Sequence, residues 1–268
     1  MYTDKLSVFD FNTINQINSD CTIEDFDNYI VVDNFLNDID AAEENLLKFP
    51  IDNGEEIYQK FYENDKKESP ICKIPGHCQM FPVDFFERYI FEIYKILVEC
   101  EYLPQRANDN LLSQSFPTLL SKNSMMNGLI YHNDMIINKN ANAPAPAMGQ
   151  YYSMLFFDDS SSDSRTGFSL HDFIYEGKRY SCLDDITLIT DQELLSEISD
   201  FLNAKHMVGK ELEKYSPFLG NSYFDESRFV PAKRNRLVIT KGGNWFTHVY
   251  SGGEESYRLI TTFNEPKQ

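Results

Sequence analysis

Apolar residues recur along this chain in two rhythms. Where they return every three or four positions the sequence predicts helix, and where they crowd into short runs bounded by turn residues it predicts strand. Phe86, Tyr89, Ile90, Ile93, Tyr94 and Leu97 keep the helical spacing, with Pro82 ahead of them and Asp84 in the first turn. They predict a helix whose aromatic stripe packs as core rather than holding a cofactor. The segment from Asn37 to Lys48 has a cap residue and early acids, and predicts another helix that ends before Pro50. A third helical stretch runs from Asp191 to about Glu213, with Leu194, Leu195, Ile198, Phe201 and Leu202 on one side and Gly209 weakening its end.

Elsewhere the pattern is β-type. Tyr29-Ile-Val-Val is one short run, followed later by Leu111–Leu120, Leu129–Ile137, Gln150–Phe157, Gly167–Tyr175, Arg236–Lys241, Trp245–Tyr250 and Ser256–Phe263. Short strands with irregular connections predict a sandwich or barrel. The Ala/Pro-rich stretch 138–149 and the Ser-rich stretch 158–166 read as loops. With no internal repeat and no long linker, residues 1–268 read as one domain. It comprises a helical, acidic portion over 1–110 and a β core over 111–264, with a helical insertion near 191–213.

Charge narrows the partners. The 268 residues carry 24 Lys+Arg against 42 Asp+Glu, a net charge of −18. Nucleic acid is excluded as a partner, because affinity for a polyanion comes from Lys and Arg displacing counterions, and anionic membranes are disfavoured for the same reason. The first seventy residues, with seventeen acids and five lysines, read as a solvated acidic surface. Residues 228–258 reverse the sign with Arg228, Lys233, Arg234, Arg236, Lys241 and Arg258 against Glu254 and Glu255, a net +4. The five cysteines, Cys21, Cys72, Cys78, Cys100 and Cys182, form no CxxC pair and fit reduced thiols in a cytoplasm. No run approaches the roughly 18 apolar residues of a membrane span, and the first residues do not read as an export signal.

Candidate chemistry centres on five histidines, His77, His132, His171, His206 and His248. On a strand, His132 and Asp134 project from one face and offer an imidazole and a carboxylate to a common centre. Near the C-terminus a glycine turn leads to a strand bearing His248, and another leads to one bearing Arg258. Two histidines and one carboxylate suit non-haem Fe(II) with open positions for substrate and oxygen. Arg258 and Thr262, four apart, share a strand face, where a guanidinium can clamp a carboxylate with the hydroxyl assisting. His171 and Asp172, as neighbours, are expected on opposite faces, which leaves His171 alone as a candidate substrate contact. His77 reads as structural, and His206 sits at a helix end where a cation suits the dipole. No GxSxG elbow, GxGxxG or P-loop is present.

With His132-Asn-Asp134, His248 and Arg258 in this order and spacing, the chain resembles the Fe(II)/2-oxoglutarate-dependent dioxygenase superfamily. It looks most like a bacterial branch with prolyl-4-hydroxylase-like architecture. Val31-Val-Asp-Asn-Phe-Leu, Ile74-Pro-Gly-His, Met154-Leu-Phe-Phe-Asp and Asn235-Arg-Leu-Val-Ile extend the resemblance over residues 29 to 264. The resemblance implies a double-stranded β-helix, or jelly roll, with N-terminal helices packed on it. It also implies that His132, Asp134 and His248 bind Fe(II), that Arg258 pairs with the distal carboxylate of 2-oxoglutarate, and that Tyr152 places a hydroxyl near this cosubstrate. The implied reaction uses O₂, with ascorbate as reductant, and releases succinate and CO₂ while a C–H bond of a small molecule, amino acid or peptidyl side chain is hydroxylated. The alternatives are a catalytically silent jelly-roll metal or small-molecule binder and an iron oxygenase that does not use 2-oxoglutarate. Loops 138–149 and 158–166 are expected to flank the mouth and select substrate, and the basic island to receive the dianionic cosubstrate.

Overall fold

A computed structural model describes residues 11–48, 52–53, 77–81, 86–103, 113–122, 131–132, 135–136, 145–146, 151–159, 166–181, 224–241, 244–249 and 257–264. Among them are helices α1 (Phe11–Ile14), α2 (Ile39–Leu47) and α3 (Glu87–Glu99). The strands of the first half are β1 (Thr22–Asp25), β2 (Tyr29–Asp33), β3 (Asp52–Asn53), β4 (His77–Phe81), β5 (Ser113–Lys122), β6 (Tyr131–His132), β7 (Met135–Ile136) and β8 (Ala145–Pro146). Those of the second half are β9 (Tyr151–Phe156), β10 (Gly167–Tyr175), β11 (Lys178–Tyr180), β12 (Phe224–Pro231), β13 (Arg236–Lys241), β14 (Trp245–Val249) and β15 (Tyr257–Asn264). The expected helices at 37–48 and 86–97 are present, and the one expected at 191–213 lies outside the described residues.

The protein is mainly antiparallel β. One sheet has the order β1-β2-β13-β9-β15-β5-β4-β3; a smaller one has the order β11-β10-β14-β6, with β12 also pairing with β10. Along the chain, β5, β9, β13 and β15 enter the larger sheet, while β6, β10, β12 and β14 enter the smaller. The first 110 residues, expected to be helical, also contribute β1 to β4 to the larger sheet.

The centre of the larger sheet, at β2, β13, β9 and β15, is buried on both faces, which explains why β9 reads as six buried residues in a row rather than an alternation. Tyr151 and Leu155, with Ile30, Val32, Leu237, Ile239, Leu259 and Phe263, pack under α1, α2 and α3. Tyr152, Met154 and Phe156, with Tyr29, Val31 and Val238, pack against Phe168, Leu170, Phe246 and Val230 of the smaller sheet. Alternation along each strand thus feeds two separate cores. α3 presents Tyr89, Ile90, Ile93 and Leu97 to the first, as its spacing predicts, together with Ile96, which lies outside the predicted face, while Tyr94 is only partly buried.

A clamp closes the strand-end edge of the larger sheet, where β2 ends and β13 begins. Asn235, at φ 64, occupies the left-handed region that asparagine tolerates better than most residues. Its side chain accepts from Leu36 N and donates to Leu36 O, both at 2.8 Å. Asp33 receives Arg236 Nε at 2.6 Å and Lys233 Nζ at 2.7 Å. Arg234 reaches Glu43 at 2.7 Å, Asp40 and the Phe157 carbonyl. These contacts fasten the acidic N-terminal segment to the β12–β13 turn.

Candidate functional site

β15 sends Leu259, Thr261 and Phe263 toward the helices, so Arg258, Ile260 and Thr262 face the smaller sheet. Arg258 is 0 % exposed and is the largest fully buried side chain described. Its Nη1 donates to the Gly167 carbonyl at 3.1 Å and to Met154 Sδ at 3.8 Å. Its guanidinium carbon lies 5.2 Å from the centre of the Phe156 ring. Removing a cation from water costs several kcal/mol unless dipoles, rings or counter-charges compensate it.

The carbonyl that receives Arg258 locates it in the fold. Gly167 stands opposite Val249, and its neighbour Phe168 stands opposite His248. The guanidinium therefore crosses from one sheet to the strand pair carrying His248. Gly167 is needed there because a Cβ would run into the Val230 carbonyl oxygen of β12.

Tyr152 and Thr262 face each other across the β9–β15 ladder, and both are buried. Thr262 and Arg258 share a face as expected, but four residues of strand separate their backbones by about 13 Å. The guanidinium leans toward Met154, on the rung between them. A ligand running along this face would meet Arg258 at one end and the Tyr152–Thr262 pair at the other.

β6 lies beside β14, with His132 opposite Trp245 and therefore three rungs from His248. Asp134 lies outside the described residues. Among the described residues no three His, Cys, Asp or Glu side chains form a group that could hold a metal. His77 starts β4, at the other end of the larger sheet's strand order, and His206 lies outside the described residues. The described thiols, Cys21 and Cys100, are free, and burial pushes both above the usual thiol range, which makes them poor nucleophiles.

His171 stands opposite Trp245 on the other side, so His132, Trp245 and His171 share one cross-strand row. It lines a cleft of about 340 Å³ together with Leu170, Asp172, Phe26, Tyr29, Arg228 and Asn244. Asp172, expected on the opposite face from His171, lines the same cleft; the ladder with β12 shifts register between Leu170 and His171. Arg228, Asp172 and Gly167 were not legible as site residues from local pattern. The nearest signals were the His171-Asp172 dyad and the glycine opening an apolar strand.

The basic island proves divided. Lys233, Arg234 and Arg236 are bound to Asp33, Asp40 and Glu43 in the edge clamp. Arg228 donates to Tyr29 Oη at 3.0 Å, and Lys241 sits 4.5 Å from the Tyr102 ring centre. Of the six cations, Arg258 is the fully buried one, so one guanidinium rather than a basic surface is what the inter-sheet space offers an anion.

No family model matches this sequence, and no curated protein matches it. Solved structures with which it shares part of its shape include a prolyl-4-hydroxylase from Pseudomonas putida, at 9 % identity and TM-score 0.33, covering 80 % of this chain and 85 % of that one. Another is the non-haem α-ketoglutarate-dependent carbocyclase SnoK of nogalamycin biosynthesis, at 9 % identity and TM-score 0.41, covering 88 % and 79 %. A third is a prolyl hydroxylase from Trichoplax adhaerens, solved with a hypoxia-inducible-factor peptide, at 12 % identity and TM-score 0.36, covering 98 % and 92 %. No helix among the described residues is long and apolar enough to cross a membrane.

Proposed function

We propose that the chain is an Fe(II)- and 2-oxoglutarate-dependent oxygenase built on a jelly roll. The observation that carries this reading is Arg258, wholly buried and reaching the carbonyl beside the residue paired with His248. A guanidinium in a dry interior next to a histidine-bearing strand suits an anionic cosubstrate that spans the distance between a metal and a cation. Repeated passage of the chain between the two sheets, from β5 to β6, from β9 to β10 and from β12 through β13 and β14 to β15, supports the jelly-roll reading.

His132, Asp134 and His248 would hold the iron, a donor set of two imidazoles and one carboxylate that suits Fe(II). Because three rungs separate His132 from His248, the set needs a bulge or a one-residue slip at β6, a common device at strand ends. Bound iron would supply oxygen activation coupled to decarboxylation of 2-oxoglutarate to succinate and CO₂, with ascorbate maintaining the metal and hydroxylation of a substrate C–H bond as the outcome. Arg258 holds the distal carboxylate, Tyr152 and Thr262 contact the same cosubstrate, and the aromatic wall of Phe156, Phe168 and Phe246 keeps water from it.

The test is succinate formation from 2-oxoglutarate with Fe(II) and ascorbate. Asp134→Ala and His248→Ala are each expected to lose more than the roughly 10–100-fold that losing an outer-shell partner of a metal ligand costs. Thermal stabilisation by 2-oxoglutarate, absent in Arg258→Ala, separates this reading from an iron oxygenase that ignores the cosubstrate. Wild-type protein that neither turns over nor is stabilised by 2-oxoglutarate would overturn the oxygenase reading.

A further inference from the structure

The cleft beside His171 carries two charges of opposite sign on its walls, Arg228 and Asp172. The described ion pairs join Asp172 to Arg179, not to Arg228. The Nε of Arg228 is engaged by Tyr29 Oη, and its guanidinium lies 5.6 Å from the centre of the Phe26 ring. Phe26 in turn stacks on Tyr29 at 4.8 Å and 9°. This platform fixes the plane of the guanidinium and leaves the Nη1–Nη2 edge as the one that can fork onto a carboxylate.

Asp172, largely buried, accepts from Arg179 Nη1 at 3.1 Å and Ser181 Oγ at 2.9 Å. Those bonds hold the carboxylate still, and its two oxygens have about four acceptor sites, enough to take an ammonium as well. Arg228 is the ladder partner of Leu170, and Asp172 stands two residues further along β10, about 7 Å of strand. Leu170, opposite Arg228, and Tyr29 both line the cleft and belong to the core between the sheets.

We infer that this cleft binds a small zwitterion, an α-amino acid with a free carboxylate on Arg228 and a free ammonium on Asp172. At about 340 Å³ the cleft is at the small end of ligand pockets and fits one such molecule. A residue within a peptide has lost both its α-carboxylate and its α-ammonium to amide bonds, and a simple carboxylate has no ammonium. Binding follows from the cleft itself; the bound molecule's role as substrate rests on the oxygenase reading above.

The experiment uses the full chain without added iron or 2-oxoglutarate and measures its melting midpoint with each free proteinogenic L-amino acid. At least one is expected to raise it. For that compound, calorimetry should show affinity falling roughly tenfold or more both for the methyl ester and for the N-acetyl form, since each loses a charge-assisted hydrogen bond. Arg228→Gln, at an exposed position, is expected to remove the preference for acid over ester, and Asp172→Asn the preference for free amine over acetyl. No midpoint shift with any amino acid, or an ester that binds as tightly as the acid, overturns the inference. Succinate formation is measured separately, so failure of turnover with amino-acid binding intact discards the enzyme and keeps the site.

Discussion

Alternate residues of β9 feed two unlike interiors. Tyr151 and Leu155 turn toward the helices into a region of Ile, Val, Leu and Phe, where the buried Ser153 donates to the Thr261 carbonyl at 3.4 Å. Tyr152, Met154 and Phe156 turn toward the smaller sheet, where a whole guanidinium is buried and two core residues, Tyr29 and Leu170, also line a polar cleft. One strand thus holds the fold together with one face and lines the proposed site with the other. The difference teaches that burial alone does not mark the structural side: both faces are equally hidden, and only the chemistry of what is hidden separates them.

Substitutions on the two sides should separate stability from ligand response. The largest effect on stability is expected from Leu155→Ala on the helix side, a loss of about 2–5 kcal/mol in denaturant unfolding from a wholly buried position. Its response to 2-oxoglutarate should persist at temperatures where it is folded; loss of that response would erase the distinction between the faces. Gly167→Ala forces a Cβ against β12 and moves the carbonyl that receives Arg258. It should cost about 1–3 kcal/mol and also weaken 2-oxoglutarate binding, both effects at one residue.

Arg258→Met keeps much of the volume and removes the desolvated charge, so unfolding free energy should change by about 1 kcal/mol or less, or rise. Stabilisation by 2-oxoglutarate should vanish in the same variant. A variant that unfolds easily yet still responds would place Arg258 on the structural side of the comparison.

The smallest effect belongs to the edge clamp, which serves neither face. The Arg236 guanidinium, helped by the Lys233 ammonium, holds the Asp33 carboxyl below its usual value. A depressed carboxyl adds stability above its unfolded pKa of about 3.9 and loses it as pH falls through the folded value. Urea midpoints of wild type and Asp33→Asn should therefore differ by a constant amount above about pH 5 and converge as acid passes below pH 4. A difference that persists at pH 2 would show that the carboxylate's charge is not what the clamp uses.

The β elements were legible where apolar residues were dense. Gly167–Tyr175 and Arg236–Lys241 have the bounds their patterns predict. Phe224–Pro231 was not legible, because its Asp-Glu-Ser-Arg stretch is exposed and its strand conformation comes from pairing with β10 rather than from its own composition. The five histidines stood out as a rare residue type, and Asp134 and Arg258 stood out by their spacing from His132 and His248. The cleft did not: Phe26, Asp172, Arg228 and Asn244 are scattered over more than two hundred residues, and only the sheet order brings them together. The basic island misled because three of its cations are neutralised by acids from the opposite end of the chain.

That same arrangement sets the order in which the molecule can be made. β2 adds to β13 with Ile30 opposite Ile239, and Leu36 is held by Asn235, 199 residues away. During synthesis the first strand pair must wait until residues 236–241, about two hundred positions later, have emerged before its partner exists, the situation in which folding is slow and open strand edges invite mispairing. Like charges among the seventeen acids of the first seventy residues disfavour pairing between such open edges on neighbouring chains. When the β12–β13 turn arrives, its Lys233, Arg234 and Arg236 meet three of those acids and convert repulsion into the latch that ends the wait.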